Sequence, residues 1–287
     1  MLIRKNRNNK EGISKLEIIE FIKNNYINIV QLYDNQCKDI ESYVEITKIN
    51  NKYIVNSKIS LIVKNKDIES LTNGLFVWGW VNGSFTCVNC KKLKSLIGCP
   101  KQVNKDFSCS GCDSLTSLEG GPESVYNYIA SYCHNLKSLK GCSKNVEGNL
   151  ILRNCESLLS LEGCPDNVWW FDITNCISLK SLKGCPKTVR NTFECKRCNN
   201  LVNLEGISES LLNIDCSCCD NLKSLKGLPN TMRGSITCLN CKNLISLEGC
   251  PEDLYYLDCC CCESLQDFTY GPKKTRNGFK HDNIKNK

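Results

Sequence analysis

Phe107-Ser-Cys-Ser-Gly-Cys-Asp-Ser-Leu-Thr-Ser-Leu-Glu-Gly-Gly-Pro-Glu-Ser-Val125 is one of nine altered copies of a single phrase. Aligned on their second cysteine, the copies have anchors at Cys90, Cys112, Cys133, Cys155, Cys176, Cys198, Cys219, Cys241 and Cys262. The spacing alternates 22, 21, 22, 21 to the end. Self-similarity at such a fixed period marks a stacked repeat, and that reading governs everything else in the chain.

Positions are counted here from each anchor. Leucine stands at +3 in all nine copies, from Leu93 to Leu265, and at +6 in eight, the ninth having Phe268. Glycine occupies +8 in eight copies, Gly98 to Gly249. An apolar residue holds +13 from Val103 to Leu254, and Thr275 breaks that run. Before the anchor the pattern has period two, with an apolar residue at −5 (Phe85 to Leu257) and cysteine at most −3 positions. Alternation over a few residues predicts a half-buried strand, and the Gly and Pro that follow predict the return to the next one. Each coil should therefore add one strand to a parallel sheet. Burying roughly six side chains at ~1.5–3 kcal/mol each does not cover ordering a coil at ~1–2 kcal/mol per residue. Stacking on neighbours is obligatory.

The phrase φ-x-C-x-x-C-x-x-L-x-S-L-x-G-C-P, with φ apolar, resembles the leucine-rich repeat, over about residues 55–275. In its short period it is similar to the cysteine-rich leucine-rich arrays encoded by giant viruses of amoebae and by phages. The resemblance implies an α/β solenoid, horseshoe-like, with one parallel strand per 21/22-residue coil and a mostly irregular convex side. It also implies a viral origin and a non-enzymatic role in protein–protein interaction. The domain reading is a helical capping region over 1–52, a degenerate capping repeat and first strand over 53–89, the solenoid over 90–272, and a basic, disordered tail over 273–287.

The formal net charge is +7. Arg4, Lys5, Arg7 and Lys10 put +4 on the first ten residues, and residues 273–287 carry +5, which leaves −2 for the remainder. A nucleic-acid-binding face needs bases concentrated on the folded surface, so no nucleic-acid partner is expected. The sequence contains no run of 18 apolar residues, so no membrane-spanning helix is expected. The basic N-terminus lacks the apolar core of a secretion signal. Cytoplasm is the expected location, the host's if the protein is viral, or else the virion.

Residues 14–27 predict a helix. Ser14 and Glu17 form a capping box, and Leu16, Ile19, Ile22 and Tyr26 make an apolar stripe. That stripe serves as a cap on the first coil or, alternatively, docks a partner. Residues 53–63 read as strand, followed by Asn65, Ile68 and Leu71 in imitation of an anchor with its +3 and +6 residues. Trp78 and Trp80 read as a core plug beneath the cap.

The 22/21 rhythm makes the true unit a pair of coils. Position +7 follows it, running Glu119, Lys140, Glu162, Lys183, Glu205, Lys226, Glu248 without a break in sign. On strands ~4.8 Å apart, alternation avoids self-repulsion and fixes register.

The 24 cysteines admit three chemistries. Pairs such as Cys87/Cys90 with Cys109/Cys112 have zinc spacing, but the repeat itself generates that spacing, and Ala130, Leu152 and Ile173 fill the same −3 slot. Disulfides between coils suit an oxidising compartment. Buried free thiols acting as small hydrophobes are the favoured reading, with no metal or other cofactor. Cys218, Cys260 and Cys261 fall off the inward register and should be the most reactive thiols. The two histidines, His134 and His281, belong to no nucleophile–base pair, so an enzyme is not expected. A metal-binding or redox-active thiol protein is the alternative.

In leucine-rich coils the strand residues between inward positions face the concave surface, and stacking lines them up in columns. On that basis the candidate partner-binding residues are Arg153, Trp170, Asp172, Glu194, Lys196, Asp215, Tyr256 and Asp258, with Trp170 exposed beside an acidic strip. Aromatic residues and arginine anchor protein interfaces.

Overall fold

The computed structural model describes residues 13–28, 40–63 and 66–281. It is a parallel β-solenoid of about ten turns with a spacing of about 22 residues. Each −5 side chain pairs in register with the next, as in Leu150 with Phe171 and Phe171 with Phe193. Ile214 with Ile236 and Ile236 with Leu257 continue the column. The positions −5, −3, 0, +3, +6 and +13 that periodicity marks as apolar line one continuous core.

The turns of each coil explain the invariant letters between those positions. Serine recurs at +5 because its hydroxyl accepts the backbone N–H of +7, as at Ser160 with Glu162 (3.1 Å) and Ser246 with Glu248 (3.0 Å). Asn203 and Asp267 do the same through a side-chain oxygen, a turn these residue types favour. Glycine at +8 answers two demands at once. Gly120 has φ 87°, and a Cβ there would lie 2.3 Å from the backbone nitrogen of Ile97 in the preceding coil. All seven prolines of the chain stand at +10, where the return path begins.

The residue at −1 is left-handed in every full coil, from Asn89 (φ 59°) to Cys261 (φ 61°). Asn fills four of the nine positions and Gly111 a fifth, as that conformation favours. Tyr132, Arg197, Cys218 and Cys261 hold it against their preference.

The alternating coil length is a β-bulge. In the 22-residue coils the strand gains one residue between +13 and −6, which shifts the register between Val103 and Asp106 and between Val189 and Thr192. The neighbouring 21-residue coils run straight through. Their −6 asparagines serve the bulge: Asn127 Oδ1 accepts from the Asn149 N–H (2.7 Å), and Asn213 Oδ1 from the Ser235 N–H (2.9 Å).

Helix α1, Lys15–Asn25, has the expected capping box, with Glu17 N–H donating to Ser14 Oγ at 3.2 Å and Ser14 N–H donating to Glu17 Oε2 at 2.8 Å. Of the expected stripe, Ile22 and Tyr26 are buried, Ile19 is half-buried and Leu16 is 76% exposed; Ile18, not Leu16, completes the buried i, i+4 face. Tyr26 meets the Trp78 ring edge-on at 5.4 Å between centroids. Tyr26, Phe76, Trp78 and Phe85 form an edge-to-face cluster there. Trp78 is the expected plug, whereas Trp80 is only half-buried.

Two strands replace the single one expected over 53–63. Lys52–Ser57 forms a hairpin with Val44–Ile49, turning on left-handed Asn50 and Asn51, and Leu61–Val63 pairs with Tyr26–Asn28 on one side and Phe85–Thr86 on the other. Asn65 lies outside the described residues, while Ile68 and Leu71 are buried as expected of its +3 and +6 partners.

At the far end, the expected disordered tail is ordered through His281. Lys274–Thr275 pairs with Asp253–Leu254, and Phe279–Lys280 pairs with Leu257–Asp258. The composition of 273–281 is polar, but the preceding coil supplies a template of unpaired backbone groups, and Phe279 packs its ring on Phe268 and His281. Residues 282–287 lie outside the described region.

Candidate functional site

The eight residues singled out from the sequence stand on one face of the sheet, because the bulge and straight strands keep −6, −4 and −2 in register. Asp172 pairs with Glu194, Glu194 with Asp215, and Asp215, through Thr237, with Asp258. Trp170 lies beside Asn149, and Tyr256 beside Ser235.

Burial then separates them. Asp172 is fully buried and so is not part of an exposed acidic strip. Its Oδ1 accepts from the Thr174 N–H at 2.9 Å, and its Oδ2 accepts from Arg153 Nε. A carboxylate in that position must be paired, because an unpaired buried charge is expensive. Trp170 is half-buried rather than exposed. It occupies the slot that Asn127 and Asn213 fill in other straight coils, and the Arg153 guanidinium lies 5.4 Å from its ring centroid. The exposed member of the pair is Trp169, at 50%. Around this knot, Asn149 Oδ1, Trp170 Nε1 and Thr174 Oγ1 are buried without hydrogen-bond partners.

The remaining acids are held by their neighbours. Lys196 reaches Glu194 at 2.9 Å and Asp215 at 3.4 Å. Partial burial works to depress the Lys196 ammonium, but the two carboxylates outweigh it and hold it above the usual lysine value. Tyr256 donates to Asp258 Oδ2 at 2.8 Å, and the Lys280 ammonium sits 5.8 Å from the Tyr256 ring centroid. Partial burial works to raise the Asp258 carboxyl; the hydrogen bonds from Tyr256 and Cys260 and the charge of Lys280 nevertheless keep it below the usual carboxylate range. The result is an in-register face of half-buried charges and aromatics.

The cysteines divide by position. None of the 23 cysteines among the described residues is in a disulfide. From the second coil onward, each anchor thiol donates to the carbonyl of the −3 residue one coil back. Cys112 reaches Cys87 O at 3.0 Å, Cys155 reaches Ala130 O at 3.0 Å, Cys176 reaches Leu152 O at 3.2 Å, and the series closes with Cys262 on Cys238 O at 3.0 Å. The first anchor, Cys90, reaches the Val88 carbonyl of its own coil at 3.8 Å. There Lys66 Nζ takes the Val63 carbonyl at 3.0 Å and the Val88 carbonyl at 2.7 Å.

The anchors are therefore hydrogen-bond donors. The expected reading as small hydrophobes fits the −3 slot better, where Ala130, Leu152 and Ile173 replace the thiol, although Cys87 and Cys259 there also donate, to Ser108 O at 3.5 Å and Lys280 O at 3.4 Å. Burial pushes the Cys142 and Cys185 thiols up to about 12. Among the described residues no group of three or more His, Cys, Asp or Glu is arranged to hold a metal ion. Of the three off-register thiols, Cys261 is exposed, and Cys218 and Cys260 are half-buried.

The +7 ladder closes into ion pairs at two steps, Lys140 with Glu119 and Lys226 with Glu205, both at 3.2 Å. A second ladder at +11 escaped the sequence reading. Lys101 pairs with Glu123 at 2.7 Å, Lys187 with Asp166 at 3.4 Å, and Lys273 with Glu252 at 2.5 Å. Alternating signs at +11 would have revealed it. Among the described residues, no helix is long and apolar enough to cross a membrane. No protein-family model, curated protein or solved structure matches the chain.

Proposed function

We propose that the chain is a short cysteine-rich leucine-rich-repeat array of horseshoe-like course, working as a non-enzymatic module that binds a protein partner on its strand face. One observation carries this reading: the −6, −4 and −2 columns make a continuous face on which Glu194, Lys196, Asp215, Tyr256 and Asp258 are neither core nor fully solvated. Such residues, already held in one geometry, lose little freedom when a partner docks. The thiol ladder and the leucines at +3 and +6 support the repeat assignment. A ladder of thiol donors suits a reducing compartment such as the cytoplasm.

The test is a peptide-display selection against the full chain, followed by titration of a selected peptide. Glu194→Lys, Asp215→Lys and Tyr256→Ala are each expected to weaken binding at least tenfold, or about 1.4 kcal/mol. Peptides that bind all three variants as tightly as wild type would move the site off this face.

A thiol-based reading has one observation of its own. Cys259 to Cys262 are four consecutive cysteines at the end of the stack, of which Cys261 is exposed and Cys260 half-buried. Zinc bound in near-stoichiometric amount after chelator-free purification under reducing conditions would favour it over the interaction module.

A further inference from the structure

Position +14, where each coil leaves its +13 strand residue and bends, forms a column that the strand-face reading does not use. In straight coils it holds Trp169, Leu212 and Tyr255, exposed by 50%, 48% and 49%. In the bulged coils between and after them it holds Arg190, Arg233 and Arg276, all exposed. The backbone ties these levels together: Asn191 N–H donates to Trp169 O at 2.8 Å, Tyr255 N–H to Arg233 O at 2.9 Å, and Asn277 N–H to Tyr255 O at 2.8 Å. The ridge is thus an ordered alternation of large apolar and guanidinium groups along the stack axis. Isolated exposed apolar residues need no explanation. Four straight coils in succession expose one at this position, Tyr126 being the first at 51%, and the last three have arginine on the next level.

The geometry points to a partner of definite chemistry: an acidic, proline-rich segment in the polyproline II conformation, lying along this ridge. The proposal rests on the reading of the chain as a protein-interaction module and names the partner class and the residues. Guanidinium groups two coils apart are separated by about 9.6 Å, twice the ~4.8 Å between strands. A polyproline II helix repeats a face every three residues, about 9.3 Å. Carboxylates at every third residue would therefore meet Arg190, Arg233 and Arg276 in turn, while proline rings lie against Trp169, Leu212 and Tyr255, as aromatic grooves receive such helices.

The charge balance fits an acidic occupant. Arg233 and Arg276 share the one carboxylate of Asp253, each at 3.9 Å, so the three arginines retain an excess of two positive charges over it. A nucleic acid needs a longer run of bases and fits less well, because Glu147 ends the arginine series at the next bulged coil; the +11 column beside the ridge alternates in sign, with Asp166, Glu209 and Glu252 against Lys187 and Lys273.

The experiment uses the full chain and fluorescein-labelled (Glu-Pro-Pro)4, read by anisotropy at low salt. Wild type is expected to bind it at least tenfold more tightly than (Glu-Gly-Gly)4, which has the same charge without the rings, and than (Glu-Pro)6, whose carboxylates recur every second residue. Trp169→Ala and Arg233→Glu are each expected to weaken binding at least tenfold while the far-UV circular dichroism spectrum at the assay temperature stays that of the folded chain. The proposal is overturned if wild type fails to bind (Glu-Pro-Pro)4, if (Glu-Gly-Gly)4 or (Glu-Pro)6 binds equally well, if both variants bind as wild type does, or if a dT12 oligonucleotide binds more tightly. Binding lost in Glu194→Lys but kept in both ridge variants would overturn it as well while leaving the strand-face reading standing.

Discussion

The thiol of Cys155 donates to the main-chain carbonyl of Ala130 at 3.0 Å, linking the core of one coil to the backbone of the coil before it. Seven other anchors repeat the contact, whereas the −3 slot also takes Ala130, Leu152 and Ile173, none of which has a side-chain donor. Cys155→Ala leaves a buried acceptor unpaired and should cost about 2–3 kcal/mol. Cys216→Ala, at −3, should cost about 1 kcal/mol. Urea unfolding of the two variants checks the ordering, and equal losses would mean that the thiol bond contributes nothing.

The left-handed positions separate two kinds of constraint. Gly120→Ala meets an unfavourable φ and a backbone wall at 2.3 Å, so a loss of about 3 kcal/mol or more is expected. Arg197 has φ 58° and an exposed side chain with no such wall to clear. Arg197→Asn should therefore stabilise by up to about 1 kcal/mol, since asparagine accepts this conformation more readily. Thermal unfolding of both variants gives the signs, and a destabilised Arg197→Asn would contradict the account.

Lys226 lies between Glu205 and Glu248 along the +7 column, and pairs with the first at 3.2 Å. Lys226→Glu sets three carboxylates on successive coils. The expected loss is about 1 kcal/mol at low salt, shrinking as ionic strength rises. An effect that is the same at 10 mM and 1 M salt would not be electrostatic.

Asp258 is the group whose titration reports on the strand face. Its folded value lies below the ordinary aspartate value of about 3.9, through Tyr256, Cys260 and Lys280 acting against partial burial. A depressed acid stabilises the fold above its unfolded value, and that contribution disappears as pH falls through the folded value. Tyr256→Phe removes one donor. The Asp258 carboxyl should then rise toward the ordinary value, and the acid side of the stability curve should flatten below about pH 4. Carbon-detected NMR titration of the carboxyl measures the shift directly; no movement in Tyr256→Phe would remove the hydrogen bond from the argument.

The core was legible from residue type alone because every inward position repeats nine times. The face was only half legible. Columns follow from spacing, so Glu194, Asp215 and Asp258 could be aligned from the sequence. Depth does not follow from spacing: Asp172 shares their column yet is buried, because Arg153 and the Trp170 ring close over it. The left-handed −1 position was hidden for another reason. Asn, Gly, Tyr, Arg and Cys all occupy it, and backbone geometry imposed by stacking overrides what Tyr132 or Arg197 would prefer alone. The ordered strand at Phe279–Lys280 was missed because polar composition says nothing of the template beside it.

The bulge in every second strand also sets how such an array can change in length. Removing one coil would juxtapose two bulged strands or two straight ones, and would bring like charges together at +7 and +11. Removing two restores every contact. Gains and losses that keep the fold should therefore come in steps of 43 residues, so that the unit of inheritance is twice the unit of architecture.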